Sequence, residues 1–393
     1  MKLLFYCIYF YCFIVLGKCL EHQGVDYEIV QTGNESSVDI TPYEVLNRNA
    51  VGVFKEIGLW STLQRYAYPL KDLVFEISPK KPHPISRTLA VIPFNKDSTD
   101  DNGSYSISGS KLRQSLNTNS PLKKKITNIL EKEDHTSVIF QGGGKKQYSV
   151  VVFADGTMNP MLREFKKRRP SEFRNELSSI VISRDEYDTD SIVDLYVFGK
   201  RVIVTPISSS ELQVTFHELC EQVPPSPFTR QVPISSVIDH FGLEQSSEDV
   251  GSMQTVLQRI VALPKSRTAF TSNPRYFNVD IPIYNNGVIL TYPCRRKTVD
   301  VSGVITSYQI EECYHLAKSI AKNNSPASIA KDFESKVKSK EVLATGFCQK
   351  ITGSAIYQTY FNYFFLFFRT ILNHQIFGRL NSKFNNATSP ITK

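Results

Sequence analysis

Apolar and polar residues alternate in the central part of this chain, and that pattern predicts β-strands. Residues 137–153 read as a hairpin around the turn Gly142-Gly143-Gly144, and residues 193–219 read as three consecutive strands. Asn286-Gly287 predicts a further hairpin, because Asn-Gly is favoured in the type I′ turns that join antiparallel strands. We therefore expect a central region rich in β-hairpins.

Helical periodicity appears on both sides of that region. Thr41 is a candidate N-cap for a helix that ends before Pro69 and buries Trp60, the only tryptophan. Near the other end, one helix is predicted to start at Thr306 and a second to be capped by Ser325. The predicted fold class is α+β, with a β-hairpin-rich central region, an N-terminal helix and a helical C-terminal third.

The same patterns, together with changes in composition, divide the chain into six segments. The stretch from 95 to 120 is assigned as a linker because Ser, Asn, Asp and Gly dominate it. The predicted segments are a signal peptide (1–19), an N-terminal helix with short strands (20–94), the polar linker (95–120), a β-rich domain (121–300), a helical hairpin (301–345) and an aromatic helix with a polar tail (346–393).

The first residues have the pattern of a secretory signal. Lys2 is followed by an apolar run from Leu3 to Leu16, and Gly17 and Cys19 supply small residues for cleavage before Leu20. The run is shorter than the roughly 20 residues of a membrane span, so cleavage is favoured over an uncleaved anchor. This predicts a secreted protein, located in a secretory organelle, outside the cell or in a host cell.

Cleavage would leave four of the seven cysteines. In an oxidising compartment an even number favours two disulfides. Buried free thiols are the alternative. The candidate disulfide cysteines are Cys220, Cys294, Cys313 and Cys348.

An aromatic segment from Ala355 to Leu372 is the most unusual stretch. On a helical wheel its few polar residues form one narrow stripe, which indicates burial on most sides. The surroundings that provide this burial are a protein core, a membrane interface or a partner helix. The candidate membrane or partner residues are Tyr357, Tyr360, Phe361, Phe364, Phe365 and Phe368.

Charge does little to identify a partner. The formal net charge of +8 is a mild excess over 393 residues, so nucleic acid is not an expected partner. One basic run forms a candidate patch for contact with a polyanion, against the alternative of a solvated surface. It consists of Lys166, Lys167, Arg168 and Arg169.

No motif in the chain predicts catalysis. Lys146 follows a glycine-rich turn, but a strand is predicted after it where a phosphate-binding loop needs a helix. His217-Glu218 begins a zinc-protease pattern, yet Glu221 occupies the position of the second histidine. The acidic cluster at 185–190 lacks the glycine and glutamate of a calcium loop. We therefore assign no catalytic, cofactor or metal residues, expect no cofactor, and do not expect an enzyme.

The general character of the chain resembles secreted proteins of apicomplexan parasites, in particular the spherical body proteins of piroplasms. The resemblance rests on the signal sequence FYCIYFYCFIVLGKC, the loops rich in Asn, Lys and Ser, and the β-rich blocks without a catalytic signature. It implies a non-enzymatic binding protein that acts at or in a host cell, with an unknown protein or a membrane surface as its partner. The alternatives are a secreted hydrolase with a site assembled from distant residues, and a membrane-associated protein anchored through 355–372.

Overall fold

The structure is a computed structural model of the whole chain. It describes a subset of the residues. They are 3–7, 10–31, 43–77, 88–94, 103–116, 124, 126–132, 135–153, 171–184, 189–197, 200–219, 226–241, 254–264, 268–273, 275–278, 284–285, 288–290, 304–323, 325–333 and 335–336.

The strands are numbered in chain order. They are β1 (Leu3–Cys7), β2 (Tyr27–Gln31), β3 (Tyr43–Leu46), β4 (Ala67–Leu70), β5 (Asp72–Ile77), β6 (Thr88–Pro93), β7 (Ser104–Ser108), β8 (Ile126–Glu131), β9 (Thr136–Phe140), β10 (Lys145–Tyr148), β11 (Val150–Phe153), β12 (Ser171–Ser183), β13 (Ile192–Val197), β14 (Lys200–Pro206), β15 (Glu211–Leu219), β16 (Ser226–Pro233), β17 (Thr268–Asn273), β18 (Arg275–Asn278), β19 (Tyr284–Asn285) and β20 (Val288–Leu290).

The helices are numbered in the same way, and a single 3-10 turn (Gln64–Tyr66) follows the third. They are α1 (Phe10–His22), α2 (Arg48–Glu56), α3 (Trp60–Leu63), α4 (Gly109–Ser115), α5 (Ile234–Phe241), α6 (Gln254–Ala262), α7 (Val304–Lys322) and α8 (326–333). The α+β class predicted from the sequence is thereby confirmed at the level of fold class.

A parallel sheet organises the first half of the fold. Its strands lie in the order β19-β20-β11-β1-β2, and all neighbours except β19 and β20 run parallel. Helix α1 connects β1 to β2, which makes a βαβ unit. One side of α1 packs against α7 in a large core cluster that includes Val15, Leu16, Leu316 and Ile320.

The largest sheet of the described residues lies in the second half of the fold. Its order is β16-β17-β12-β15-β14-β13-β5-β6, with β18 also paired to β12. One face carries the apolar side chains of β12 to β15, such as Val204 and Phe216, and α5 and α6 cover it. The other face carries polar side chains and is described below.

Two three-stranded sheets complete the described structure. The first has the order β3-β7-β4, and Tyr105 and Ile107 of β7 join the core cluster around α1. The second has the order β10-β9-β8. Gly142 and Gly143 form the turn between β9 and β10 with φ of 94° and 84°, a backbone region that favours glycine.

Several elements agree with the sequence predictions. The β13–β14 hairpin and its continuation into β15 are antiparallel as expected, and β19 pairs with β20 across Asn286-Gly287. Helix α7 covers the predicted helix at Thr306, and Ser325 accepts a hydrogen bond from the main-chain N–H of Ser328 (3.3 Å). The single tryptophan is buried in the core.

Other elements differ from the predictions. Residues 43–46 are a strand, so the helix expected from Thr41 begins only at Arg48, where Asn47 serves as the N-cap. Residues 104–115, expected in a polar linker, form β7 and α4. Strand β7 is buried because Tyr105 and Ile107 face the core while Ser106, on its other face, donates a hydrogen bond to Pro206 of the large sheet.

The apolar run predicted as a signal peptide forms β1 and most of α1. Strand β1 lies between β2 and β11, and Ile14, Leu16 and Cys19 are buried. A buried parallel strand and a buried helix also require apolar side chains, which gives this run a second physical reason. Cleavage before Leu20 stays a prediction, and it would remove β1 from the centre of its sheet.

Candidate functional site

The parallel sheet has one position where its topology favours a ligand. The chain passes from β1 to β2 on one side, whereas β11 lies on the other side of β1. In open sheets of this type ligands bind outside the carboxyl ends of the strands at this change of direction. For this chain, the position lies beyond Cys7 of β1 and Phe153 of β11, and Ala154-Asp155-Gly156 follow β11 in the sequence.

The connection from β1 to α1 would carry a glycine fingerprint in a dinucleotide-binding protein. That fingerprint, GxGxxG, allows a tight turn, close approach of the backbone to a diphosphate, and close packing of helix on strand. Here β1 ends at Cys7 and α1 begins at Phe10, and residues 1–16 contain no glycine. No register of the fingerprint can therefore be placed on this connection.

The end of β2 also departs from the dinucleotide-binding pattern. An acidic residue is expected about 20 residues after the fingerprint to bind a ribose hydroxyl. Strand β2 ends in Gln31, which pairs with Cys7 at the end of β1. Glu28 lies earlier in β2 and is occupied, because it accepts hydrogen bonds from Lys146 Nζ (3.0 Å) and from Tyr148 Oη (2.8 Å).

A second polar region lies on the face of the large sheet opposite α5 and α6. Strand pairing places Asp194, Arg201, Thr215 and His217 on this face, since residues opposite each other in a ladder point to the same side. All four are buried. Buried polar groups are costly unless they are paired, so this face is a specific feature of the fold.

Asp194 and Arg201 form a bidentate ion pair in this face. Arg201 Nε donates to Asp194 Oδ1 and its Nη2 donates to Oδ2, both at 2.7 Å. The Asp194 side chain is fully buried and that of Arg201 is 4% exposed. The planar guanidinium and the two carboxylate oxygens match in geometry, which fixes the position of the arginine.

His217 lies directly opposite Arg201 in the β14–β15 ladder. Burial, and to a smaller extent the positive charge of Arg201, lower the pKa of His217 to about 3. The imidazole is therefore neutral over the physiological range. His217 belongs to a strand, which agrees with the rejection of a zinc-protease helix at this position.

The polar face continues toward the three-stranded sheet β3-β7-β4. Gln213 donates through Nε2 to Thr215 Oγ1 (3.0 Å) and accepts from the main-chain N–H of Tyr43 (3.2 Å). Ser106 of β7 donates to the carbonyl oxygen of Pro206 (2.5 Å). These bonds join the two sheets, so the polar face is closed at this end.

A further network ties β4 to the large sheet. Arg184 Nη1 donates to Tyr68 Oη (2.6 Å), and both Tyr68 Oη (2.6 Å) and Arg184 Nη2 (3.0 Å) donate to Asp190 Oδ1. These hydrogen bonds, that of Tyr68 first, lower the pKa of Asp190. Asp190 belongs to the acidic cluster considered above as a calcium loop, and in the structure it binds a phenol and a guanidinium.

The residues singled out from the sequence fall largely outside the described part of the chain. Cys313 is described and lies buried on α7, but the other candidate cysteines lie outside the described residues, so its predicted disulfide stays a prediction. The remaining candidates lie outside the described residues and stay predictions: Cys220, Cys294, Cys348, the aromatic residues Tyr357, Tyr360, Phe361, Phe364, Phe365 and Phe368, and the basic residues Lys166, Lys167, Arg168 and Arg169.

Two general features are absent from the described residues, namely a cluster of metal ligands and a membrane-spanning helix. No three side chains of His, Cys, Asp or Glu come close enough together there to hold a metal ion. No helix in the described ranges is both long and apolar enough to cross a membrane. The segment 355–372 lies outside those ranges.

No protein-family model matches the sequence, and no curated protein matches it. Solved structures match over almost the whole chain. HpxO of Klebsiella pneumoniae, solved with FAD and uric acid, matches with a TM-score of 0.72 at 14% identity, over 100% of this chain and 98% of HpxO. The chain has the same fold as HpxO.

Two further structures show the same fold. The 2,6-dihydroxypyridine-3-hydroxylase of Arthrobacter nicotinovorans has a TM-score of 0.66 at 11% identity, with 89% of this chain and 91% of that enzyme covered. PqsL of Pseudomonas aeruginosa, a probable FAD-dependent monooxygenase, has a TM-score of 0.67 at 14% identity, with 88% and 94% covered.

This fold corrects the functional predictions made from the sequence. The resemblance to apicomplexan spherical body proteins is wrong, since the matching structures are bacterial FAD-dependent monooxygenases. The same matches contradict three further predictions: a non-enzymatic binding protein, a secreted hydrolase, and the absence of enzymatic activity. The βαβ unit was not predicted from the sequence, because the apolar run from Leu3 to Leu16 also fits a signal peptide and lacks the glycines that identify a strand–helix connection of this type.

The fold implies FAD, and the residues of this chain do not fit its diphosphate. Counted from the first residue after β1, the three fingerprint positions are occupied by Ile8, Phe10 and Phe13. Each of these residues carries a Cβ and a larger side chain where the fingerprint has none. The glycines at 142–144 lie in a β-hairpin turn and provide no substitute.

Proposed function

We propose that this chain is an oxidoreductase that acts on a small planar heteroaromatic compound lying against the polar face of the large sheet. The observation that carries the proposal is the whole-chain likeness to FAD-dependent monooxygenases combined with a buried polar face in that sheet. Buried titratable groups with perturbed pKa values are enriched at functional sites, although structural ion pairs also show them.

The named compounds of the matching proteins support this class of substrate. HpxO is solved with uric acid, and the Arthrobacter enzyme is a hydroxylase of 2,6-dihydroxypyridine. Both compounds are flat rings with several hydrogen-bonding groups at their edges. Such a ring requires donors and acceptors held in fixed positions, because an unpaired polar group in a dry site is costly.

The polar face offers both kinds of group. Arg201 supplies only donors, and its partner Asp194 holds it in one orientation. Neutral His217 presents one donor and one acceptor, and Thr215 supplies a hydroxyl. These residues are proposed to bind and orient the ring, and no chemical step is assigned to them.

The proposal is tested by binding of uric acid and 2,6-dihydroxypyridine, measured by isothermal titration. We expect binding to the wild type and a loss of roughly tenfold in Thr215→Val, which removes one hydroxyl at nearly constant volume. Lys145→Ala, at an exposed position of β10, is the control and should bind like the wild type. Equal affinity of Thr215→Val and wild type for a ring that does bind, or binding of neither ring, would contradict the proposal.

A further inference from the structure

The connection between β1 and α1 has the βαβ architecture of a dinucleotide-binding fold but lacks the glycines that allow a diphosphate to bind. Strand β1 still lies between two parallel neighbours, and the helix that follows it still returns the chain to β2. Helix α1 is a core element, since Val15, Leu16 and Leu20 are fully buried. The βαβ unit is therefore maintained by packing, independently of any ligand at its turn.

A diphosphate requires more than the start of a helix. The main-chain N–H groups at the first turn must approach the phosphate oxygens closely, and side chains at the turn prevent this approach. In this chain Ile8, Phe10 and Phe13 occupy the fingerprint positions. Gln31 provides no carboxylate for the ribose, and Glu28 already binds Lys146 and Tyr148.

We infer that the β1–α1 connection of this chain does not bind the diphosphate of a dinucleotide, so that a flavin is held without help from an ADP group. The inference rests on the proposed function in one respect, namely that a flavin takes part at all. It predicts that the flavin exchanges with solution instead of remaining bound through purification.

The test compares three flavins that share the ring system and differ in the rest. Kd values for FAD, FMN and riboflavin are measured on the full-length protein by quenching of flavin fluorescence. We expect the three values to agree within about threefold, because the ADP group adds no contact. Binding of FAD more than about thirtyfold tighter than riboflavin would overturn the inference and leave the proposed function intact.

Failure of the proposed function gives a different result. If none of the three flavins binds, no flavin is held, and both the inference and the role of a flavin in the proposed function are overturned. Riboflavin and FAD binding with equal affinity supports both. The affinities thus separate the two claims without any measurement of enzyme activity.

A gain-of-binding variant gives an independent check. Restoring the fingerprint with Ile8→Gly, Phe10→Gly and Phe13→Gly should tighten FAD binding by about tenfold or more and leave riboflavin unchanged. The matched control carries alanine at the same three positions, which shortens the side chains but keeps a Cβ. An equal gain in the alanine variant would argue against the need for glycine; if the glycine variant does not fold, the wild-type series decides alone.

Discussion

The Asp194–Arg201 pair allows a quantitative test of the polar face. Replacing Arg201 with methionine keeps much of the side-chain volume and removes both hydrogen bonds to Asp194. The Asp194 carboxylate has no solvent exposure, so water cannot replace the lost partner without local opening. Removing one member of a buried ion pair typically costs about 3–5 kcal/mol.

That cost is a large part of the stability of a typical domain, which is about 5–15 kcal/mol. We therefore expect Arg201→Met to lower the free energy of unfolding by about 3–5 kcal/mol, measured by urea unfolding followed by circular dichroism. The double variant Asp194→Asn with Arg201→Met no longer buries a charge. It should recover about half of the loss or more.

An exposed ion pair provides the control. Lys318 Nζ lies 3.2 Å from Glu56, and the two side chains are 42% and 51% exposed. Lys318→Met should cost less than about 1 kcal/mol, because exposed ion pairs are weak. A cost below about 1 kcal/mol for Arg201→Met, or a double variant as unstable as the single one, would refute the assignment of a buried, paired charge.

Four further predictions concern other parts of the fold. His217 favours the folded state when it is neutral, because its pKa is lowered to about 3 in the folded protein; the free energy of unfolding should therefore fall as the pH decreases from about 6.5 toward 3. The full loss is at most about 5 kcal/mol, and His217→Gln should flatten this part of the plot of stability against pH. Phe54→Ala, at a fully buried position of α2, should lower the free energy of unfolding by about 3–5 kcal/mol in urea. The same change at its exposed neighbour, Lys55→Ala, should lower it by less than about 0.5 kcal/mol. Cys313 is buried, so iodoacetamide should label it only after denaturation and reduction, as measured by peptide mass spectrometry; labelling of Cys313 in the native protein would contradict its burial. A protein that lacks residues 1–19 should not unfold cooperatively, because β1 and much of α1 are missing; a cooperative transition at the wild-type midpoint would contradict the position of β1.

Local turn chemistry made part of the fold predictable. The hairpins at 137–153 and 193–219 were predicted from glycine turns and alternating residues, and the helix at Thr306 from its periodicity. The course of β11 was not predicted: it leaves the hairpin and pairs with β1, a contact between residues far apart in the chain. Such pairing depends on tertiary structure, which local patterns do not specify.

Two regions were missed for identifiable reasons. Residues 3–22 have the composition of a signal peptide, and without glycines the βαβ unit gives no other sign in the sequence. Strand β7 has only Tyr105 and Ile107 as large apolar residues among serines, so it was assigned to a linker. It is buried because its serine face also contacts protein, at the carbonyl of Pro206.

The residues of the candidate site form only a weak pattern in the sequence. Thr215 and His217 stand at alternate positions of one predicted strand, and so lie on the same face, whereas Asp194 and Arg201 join that face only through strand pairing. A polar face normally indicates solvent, and only the fold shows that this one is buried. The pattern therefore predicted the strands correctly, but it did not identify the face as a site.

The most direct test of the account is product formation by the full-length protein. The protein is incubated with dioxygen, chemically reduced FMN and either uric acid or 2,6-dihydroxypyridine, and the products are identified by mass spectrometry against a reaction without protein. The account predicts an oxidised ring product that requires the protein and decreases in Thr215→Val but not in Lys145→Ala. Product at the level of the protein-free reaction for both rings would contradict it.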